Sequence, residues 1–481
     1  MEEMETLEEF SFKVETEVSP AYYNDLLLFI YQKYIVPYYR NFANVRRWIL
    51  DGRETLAFTI IGTHGSWYVD VEITAGNPIE VKMRPSDPYV PRRILNKIKE
   101  DLIITIQMFE DELRGRTLYF AWVPSRDIAG EKIFTRRRKI LSQIFTGNML
   151  LLFVIFIMFS YMVFILAGPQ YAPIILVLSN LILVLFADKI IMRMGDWSIT
   201  KDSPYVYILQ YHIPPEDFDF IKQNYPRERL LQIKKDIYDR TLALGKPIDT
   251  QTVQEVFYEH GINIKLENLL VKNINVYEIV KRVSKQFNIN MPKIRIANII
   301  VPNAAATGPS PRFSLVLITT GLLIQLDEEE IFAVVGHEIS HVKSRDPLAL
   351  FLITSAEYLF RVYVLWPFIL IFGFLYILFA LTLVYFVAKF FEARADLESA
   401  LILGKPGALA NALRKIGYRR IWMERASNRV GSWLNMDPHP PLSFRIERLE
   451  SLSESEPWRI KHPFLQSIKD CVNGLLRELG I

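Results

Sequence analysis

The run His337-Glu338-Ile339-Ser340-His341 carries two imidazoles and a carboxylate at spacings that suit metal-assisted hydrolysis. On a helix, positions i and i+4 share a face, so His337 and His341 can hold one metal ion together. Glu338 stands beside the first histidine, where it can reach a water activated by that ion and act as its base. Two surface histidines on an amphipathic helix would give the same letters. The chain has only seven histidines in 481 residues, however, which makes the coincidence uncommon. A catalytic zinc site needs a third protein ligand and one open position. Phe390-Phe391-Glu392-Ala393-Arg394-Ala395-Asp396 offers Glu392 as that ligand, with Asp396 one turn on to orient a ligating histidine. Taken alone, this stretch is an ordinary charged helix.

The elements that must position these residues are legible around them. Asp327 can cap a helix, and Glu330, three residues on, completes a capping box ahead of the histidines. Between His341 and Glu392 lies an apolar block, 347–388, interrupted only by Glu357 and Arg361. Two spans of about 20 residues each would return the chain to the side it left and bring Glu392 back to the histidines. Glu357 and Arg361, spaced i,i+4, can pair on one face; the pair lines a substrate path or, more plainly, sits in a bundle interior. An earlier stretch, 140–187, has no charged residue at all and breaks at Gly168-Pro169-Gln170. It reads as a second helical hairpin with arms near 147–167 and 172–191. Lys132, Arg136, Arg137, Arg138 and Lys139 precede it, and Lys189 and Arg193 follow it. An excess of basic residues on both flanks places them in the cytoplasm.

The rest of the chain bounds the function. A net charge of +3 is too small to argue for nucleic acid, and a lone Cys471 demands no oxidising compartment. The acidic N-terminus is not a secretory signal. Residues 1–135 read as a soluble α+β accessory domain. It has strands near 10–17, 55–61, 67–73, 79–83 and 117–123, and helices over 21–42 and 91–113. Residues 197–272 read as a helical soluble insertion.

Several motifs in order resemble one family. Val301-Pro-Asn-Ala-Ala-Ala-Thr-Gly308, the run 315–321, Gly336-His-Glu-Ile-Ser-His341, Arg345-Asp346, Glu392-Ala-Arg-Ala-Asp396 and His439-Pro440-Pro441 are similar to the HtpX-type membrane zinc metallopeptidases. These are relatives of the CAAX prenyl endopeptidases. The resemblance covers about 273–452 and the first hairpin. It implies one Zn2+ per chain on His337, His341 and Glu392, with Glu338 as general base and Asp396 behind a ligand. It also implies that His439 and Arg445 stabilise the tetrahedral intermediate, a role that suits a fixed donor or cation opposite the metal. The run 314–320 then reads as an edge strand that pairs with substrate, with Asn303 and the loop after it contributing hydrogen bonds.

The implied fold is multi-domain. A soluble N-terminal α+β domain joins about four transmembrane helices in two hairpins (140–193 and 347–388). A mainly helical zincin-type metallopeptidase domain with a small sheet is divided into 273–346 and 389–481. The implied protein is a multi-pass protein of the cell membrane with its N-terminal and catalytic domains in the cytoplasm. Its partners are the lipid bilayer and polypeptides, membrane or misfolded proteins among them, as in protein quality control. Two alternatives stand beside this: a prenyl-protein-type processing peptidase, and a membrane receptor or scaffold with a vestigial zinc site.

Overall fold

The computed structural model describes residues 9–62, 67–87, 90–124, 150–192, 195–426, 429–435, 437–454, 460 and 462–479. The basic cluster 132–139 and Arg193 lie outside the described residues, as do the acidic first eight. The chain forms two compact units, one of 1–124 with 206–273 and the other of 125–205 with 274–481.

In the first unit, strands β1 (Phe10–Val14), β2 (Phe42–Leu50), β3 (Arg53–Ile61), β4 (Tyr68–Thr74) and β5 (Ile79–Pro85) form an antiparallel sheet of order β1-β5-β4-β3-β2. Alternation of apolar residues gives the sheet one oily face. Leu56, Phe58, Val71, Ile73, Val81 and Met83 pack with the helices Tyr23–Ile30 and Arg92–Arg114 in one core. The helix expected over 21–42 is regular only to Ile30, widens into a π turn over Tyr31–Ile35 and tightens into 3-10 turns over Val36–Asn41 around Pro37. Strand β2 follows, closed against β3 by the two-residue turn Asp51-Gly52, both with positive φ.

The expected helical insertion, 197–272, is corrected in part. It contains the helices Pro215–Asn224, Arg227–Arg240 and Thr250–Glu259, but also strands. With β6 (Thr117–Trp122), strand β7 (Trp197–Ile199), β8 (Tyr205–His212) and β9 (Leu269–Asn275) complete this part of the chain. Strands β6, β8 and β9 make a three-stranded sheet, so 206–273 packs with the N-terminal unit. Sequence periodicity misses β8 because Val206, Ile208, Leu209 and Tyr211 are all buried, which removes the polar alternation of a half-exposed strand.

The second unit holds a four-stranded sheet of order β11-β12-β10-β7, with β10 (Lys293–Ala297), β11 (Ala304–Thr307) and β12 (Leu315–Thr319). Strand β10 runs parallel to β12, and β11 antiparallel to it. Around the sheet lie the helices Val276–Gln286, Glu328–Ser344, Pro406–Ala426, Leu442–Glu454 and Pro463–Leu479.

Two helices among the described residues are long and apolar enough to cross a membrane, within Leu150–Leu185 and Trp366–Leu403. The first holds both arms of a hairpin. Gly168 takes φ 70°, a left-handed turn that a residue with a Cβ enters at a cost, and Val163 packs with Ala172 and Leu176 across it. The expected count of four spans is not reached on length and composition, because Asp346–Tyr363 carries Asp346, Glu357 and Arg361. Glu357 and Arg361 do pair, at 3.0 Å, and Tyr376 donates to Glu357 at 3.2 Å. At the far end of this helix the Tyr363 hydroxyl donates to the Gln170 carbonyl, 2.5 Å away, so the turn regions of both hairpins meet. Much of the apolar surface lies open, with Leu166 78% and Phe374 81% exposed, which suits lipid rather than water.

Candidate active site

The histidine helix, Glu328–Ser344, starts on the expected capping box: Asp327 accepts from the Glu330 amide and Glu330 from the Asp327 amide. Glu330 is also buried against Lys415 Nζ at 2.8 Å. Burial raises its carboxyl and Lys415 opposes that rise. This helix packs tightly on Trp366–Leu403. A Cβ on Gly336 would stand 2.3 Å from Leu403 and 2.7 Å from Ser399 Oγ, so glycine at this position permits the close approach. Ser399 donates to the Ala333 carbonyl at 3.1 Å and Ser340 to Glu398 at 2.6 Å, locking the two helices in register.

That register brings three donor atoms together. His337 Nε2 and His341 Nε2 are 3.2 Å apart, and the Glu392 carboxylate lies 3.4 Å from each. Behind the rings stand two carboxylates. His341 Nδ1 is 2.7 Å from Asp346, and His337 Nδ1 is 2.9 Å from Asp396, a close contact whose angle falls short of a hydrogen bond. Carboxylates at Nδ1 fix the tautomers that turn both Nε2 lone pairs inward. Asp346 is the site residue that sequence reasoning missed. It is brought under His341 by Arg345, whose left-handed φ of 57° turns the chain sharply, and Arg394 pairs with it. The signal was Arg345-Asp346 directly after the histidine helix, but nothing in it specifies the turn.

The electrostatics of the cluster are those of a cation site. Burial pulls the His337 imidazole down, but Asp396 and Glu392 outweigh it and hold it at about 10. Burial pushes Glu392 up; His439, His341 and His337 outweigh that and hold it well below the usual carboxylate range. Asp396 is likewise depressed: burial raises it, and Arg445 and His337 more than compensate. A tetrahedral zinc with ligands at roughly 2.0–2.1 Å has ligand–ligand edges of about 3.3–3.4 Å. The Nε2–Nε2 separation of 3.2 Å is close to one such edge, and Glu392 reaches the two imidazoles through different oxygens, Oε2 to His337 and Oε1 to His341, each at 3.4 Å. Glu392 Oε2 is buried and makes no hydrogen bond, although His337, His439 and Arg445 stand 3.4–3.6 Å from it. The donor set fits a divalent cation.

The remaining residues surround this triangle. Glu338 Oε2 accepts from the Ala306 amide at 2.9 Å, which ties the carboxylate to strand β11. Strand β12, the expected edge, is an interior strand with all five residues buried, and β11 is the edge beside the site. Asn303, just before β11, exchanges backbone bonds with Thr319: its amide donates to Thr319 Oγ1 at 2.9 Å, and its carbonyl accepts from the Thr319 amide at 3.0 Å. His439 Nε2 lies 3.6 Å from Glu392, with Nδ1 3.0 Å from Asp437. Burial raises Asp437, but His439 and Arg420 bring it down to about 2. Lys389, at the end of the apolar stretch, donates to the carbonyls of Asn435 (3.1 Å) and Asp437 (2.7 Å) and so holds the His439 loop. Arg445 is buried and grips Asp396 through two 2.7 Å bonds, with Nη1 3.6 Å from Glu392.

Comparison with known proteins agrees with this geometry. Residues 271–453 match the model of Peptidase family M48. The chain is 31% identical to a "Protease HtpX homolog" of Thermodesulfovibrio yellowstonii, over 37% of this chain and 75% of that one. Homologs of the same name from Pyrococcus furiosus and Desulforapulum autotrophicum are each 32% identical, over 37% of this chain and 73% and 69% of theirs. With the paired histidines, the glutamate and the apolar helices, these likenesses lead to one conclusion: the chain belongs to peptidase family M48, as an HtpX-like membrane-bound zinc metallopeptidase.

Proposed function

We propose that His337, His341 and Glu392 hold one zinc ion per chain and that Glu338 is the general base of peptide-bond hydrolysis. The observation that carries this is the group of three donors, His337, His341 and Glu392, with a buried Glu392 oxygen that makes no hydrogen bond. When bound, zinc supplies Lewis acidity toward water and a scissile carbonyl. The chain's own residues do the rest. Glu338 takes the proton of the attacking water and returns it to the leaving amine. Asp396 and Asp346 hold the two rings, and Arg445 holds Asp396. His439, half exposed and fixed through Nδ1, presents Nε2 toward the site, where a donor stabilises the developing oxyanion. Asn303 and the β11 edge border the substrate groove. Substitution of Glu338 by Gln leaves zinc content at one per chain and lowers peptide hydrolysis by roughly 10²–10⁴-fold. Full activity in a clean preparation of that variant would sink the assignment.

The substrates we infer are membrane or misfolded polypeptides, because the third donor sits on a helix that continues from an apolar stretch. Four spans, with Asp346–Tyr363 as the one made tolerable by its internal Glu357–Arg361 pair, would place the site on the cytoplasmic side. The unit of 1–124 and 206–273 is then an accessory domain outside the chemistry. A prenyl-processing role and a non-catalytic scaffold role are both less favoured, the second because ligands, base and supporting carboxylates are all in place.

A further inference from the structure

We propose that the segment Leu28–Leu50 of the N-terminal unit is a docking face for the anionic phospholipid surface of the membrane that the chain spans. Residues 26–50 contain four basic side chains, Lys33, Arg40, Arg46 and Arg47, and no acidic one. Among them stand large apolar side chains that reach into solvent: Tyr38 at 65%, Tyr39 at 67% and Ile49 at 71%, with Val36, Val45 and Trp48 beside them. This exposure is not that of a loose segment. Leu26, Leu27, Ile30 and Ile35 are buried in the core of the same unit, and β2 is paired with β3 at Phe42-Ala43 and again from Arg46 to Leu50, with a bulge at Asn44-Val45. The inner residues therefore hold the outer ones in place.

The chemistry of the face selects its occupant. Tyrosine and tryptophan combine an apolar ring with a polar tip and settle at the headgroup level of a bilayer. Arg47 pairs with Glu54 of β3, which leaves Lys33, Arg40 and Arg46 to be attracted to lipid phosphates. A nucleic acid would also draw the charges, but Val36, Val45, Ile49 and Leu50 offer aliphatic surface on which no base stacks. An unfolded polypeptide would pair with the β2 edge but gives no reason for the excess of positive charge. The bilayer is also within reach of the chain. Residues 186–204 join Leu185, at the end of the first hairpin, to β8 of this unit, a connection of at most about 70 Å.

The test uses the full chain in lipid nanodiscs, with buried Cys471 replaced by serine and Ile49→Cys carrying an environment-sensitive fluorophore. Tyr258→Cys, exposed on the helix Thr250–Glu259, serves as the control position. In discs containing phosphatidylglycerol, the label at 49 shifts to the blue. Headgroup-level nitroxide lipids quench it roughly two-fold or more above its level in pure phosphatidylcholine. Raising salt, or adding R40E with R46E, removes the difference, and the control label does not respond. The proposal is overturned if the label stays water-exposed in both discs. Equal protection in phosphatidylcholine alone also overturns it, since a second copy or the chain itself would then cover the face. So does a shift that appears only on adding an oligonucleotide or reduced, unfolded casein.

Discussion

Each unit contains, among its described residues, an arrangement in which one arginine faces two buried carboxylates, and the two differ in what is left over. In the N-terminal unit, Arg114 pairs with Glu17 and lies 3.5 Å from Glu110. There every carboxylate oxygen is satisfied. Thr16 and the Glu17 amide bond one oxygen of Glu110, Gln107 bonds the other at 2.7 Å, and Arg114 Nε reaches both oxygens of Glu17. In the peptidase unit, Arg445 chelates Asp396 but stays 3.6 Å from Glu392, whose Oε2 makes no hydrogen bond. In the first network every carboxylate oxygen is bonded, although the neutral Gln107 Oε1 makes no hydrogen bond, and the charges are matched within the fold. In the second, an unbonded carboxylate oxygen faces two imidazoles. Buried charge alone does not mark a functional site; a carboxylate left unbonded beside paired imidazoles does.

Substitutions in each network should separate the two kinds. The largest effect is expected from Glu392→Gln. Zinc content falls from one per chain to near zero and hydrolysis drops by about 10³-fold or more, because the third ligand is lost. Retention of zinc would break the contrast. Arg114→Ala should do the reverse. It strands two buried carboxylates and destabilises the N-terminal unit by about 3–5 kcal/mol, read by hydrogen exchange across β1–β5, with zinc content unchanged. Asp396→Asn weakens the orientation of His337 and lowers zinc affinity by roughly 10–100-fold, measured by chelator competition.

The smallest effect is a pH dependence confined to the N-terminal unit. Burial lowers the His212 imidazole, whose Nε2 lies 2.8 Å from the Glu17 carbonyl and whose Nδ1 lies 2.7 Å from Thr117. Below the unfolded-state value of about 6.5 the unfolded chain takes up a proton that the folded ring refuses. Stability is therefore lost as pH falls from about 6.5 toward the folded value, by at most about 1.4 kcal/mol per pH unit. In His212→Asn, urea midpoints should show a flatter profile over that range.

These contrasts also explain what could be read in advance. His337, Glu338 and His341 were legible because a helix fixes i,i+4 geometry locally. Glu392 was legible because an apolar block that leaves and returns brings distant residues together. Asp346 was not, because its place under His341 depends on the single left-handed residue Arg345. Strand β8 was missed because its partner β6 lies some 90 residues away and both are buried. Strand β2 lies beyond the helix expected over 21–42 and carries too little polar alternation to be read as a strand, and β12 reads as an edge because apolar content does not say which side of a strand is vacant.

One helix, Trp366–Leu403, is apolar for its first half and carries Glu392 and Asp396 in its second. Two of the candidate donors therefore sit on a helix of the peptidase body and the third on a rod whose other half is apolar enough to cross a membrane. A cation held by all three works as a clasp between body and rod. Whatever tilts or lifts the rod, such as a change in bilayer thickness or a crowded membrane, pulls on that clasp directly. The Lys389 tether drags the His439 loop along with it. The membrane is then not only where this peptidase is anchored but a lever on its metal.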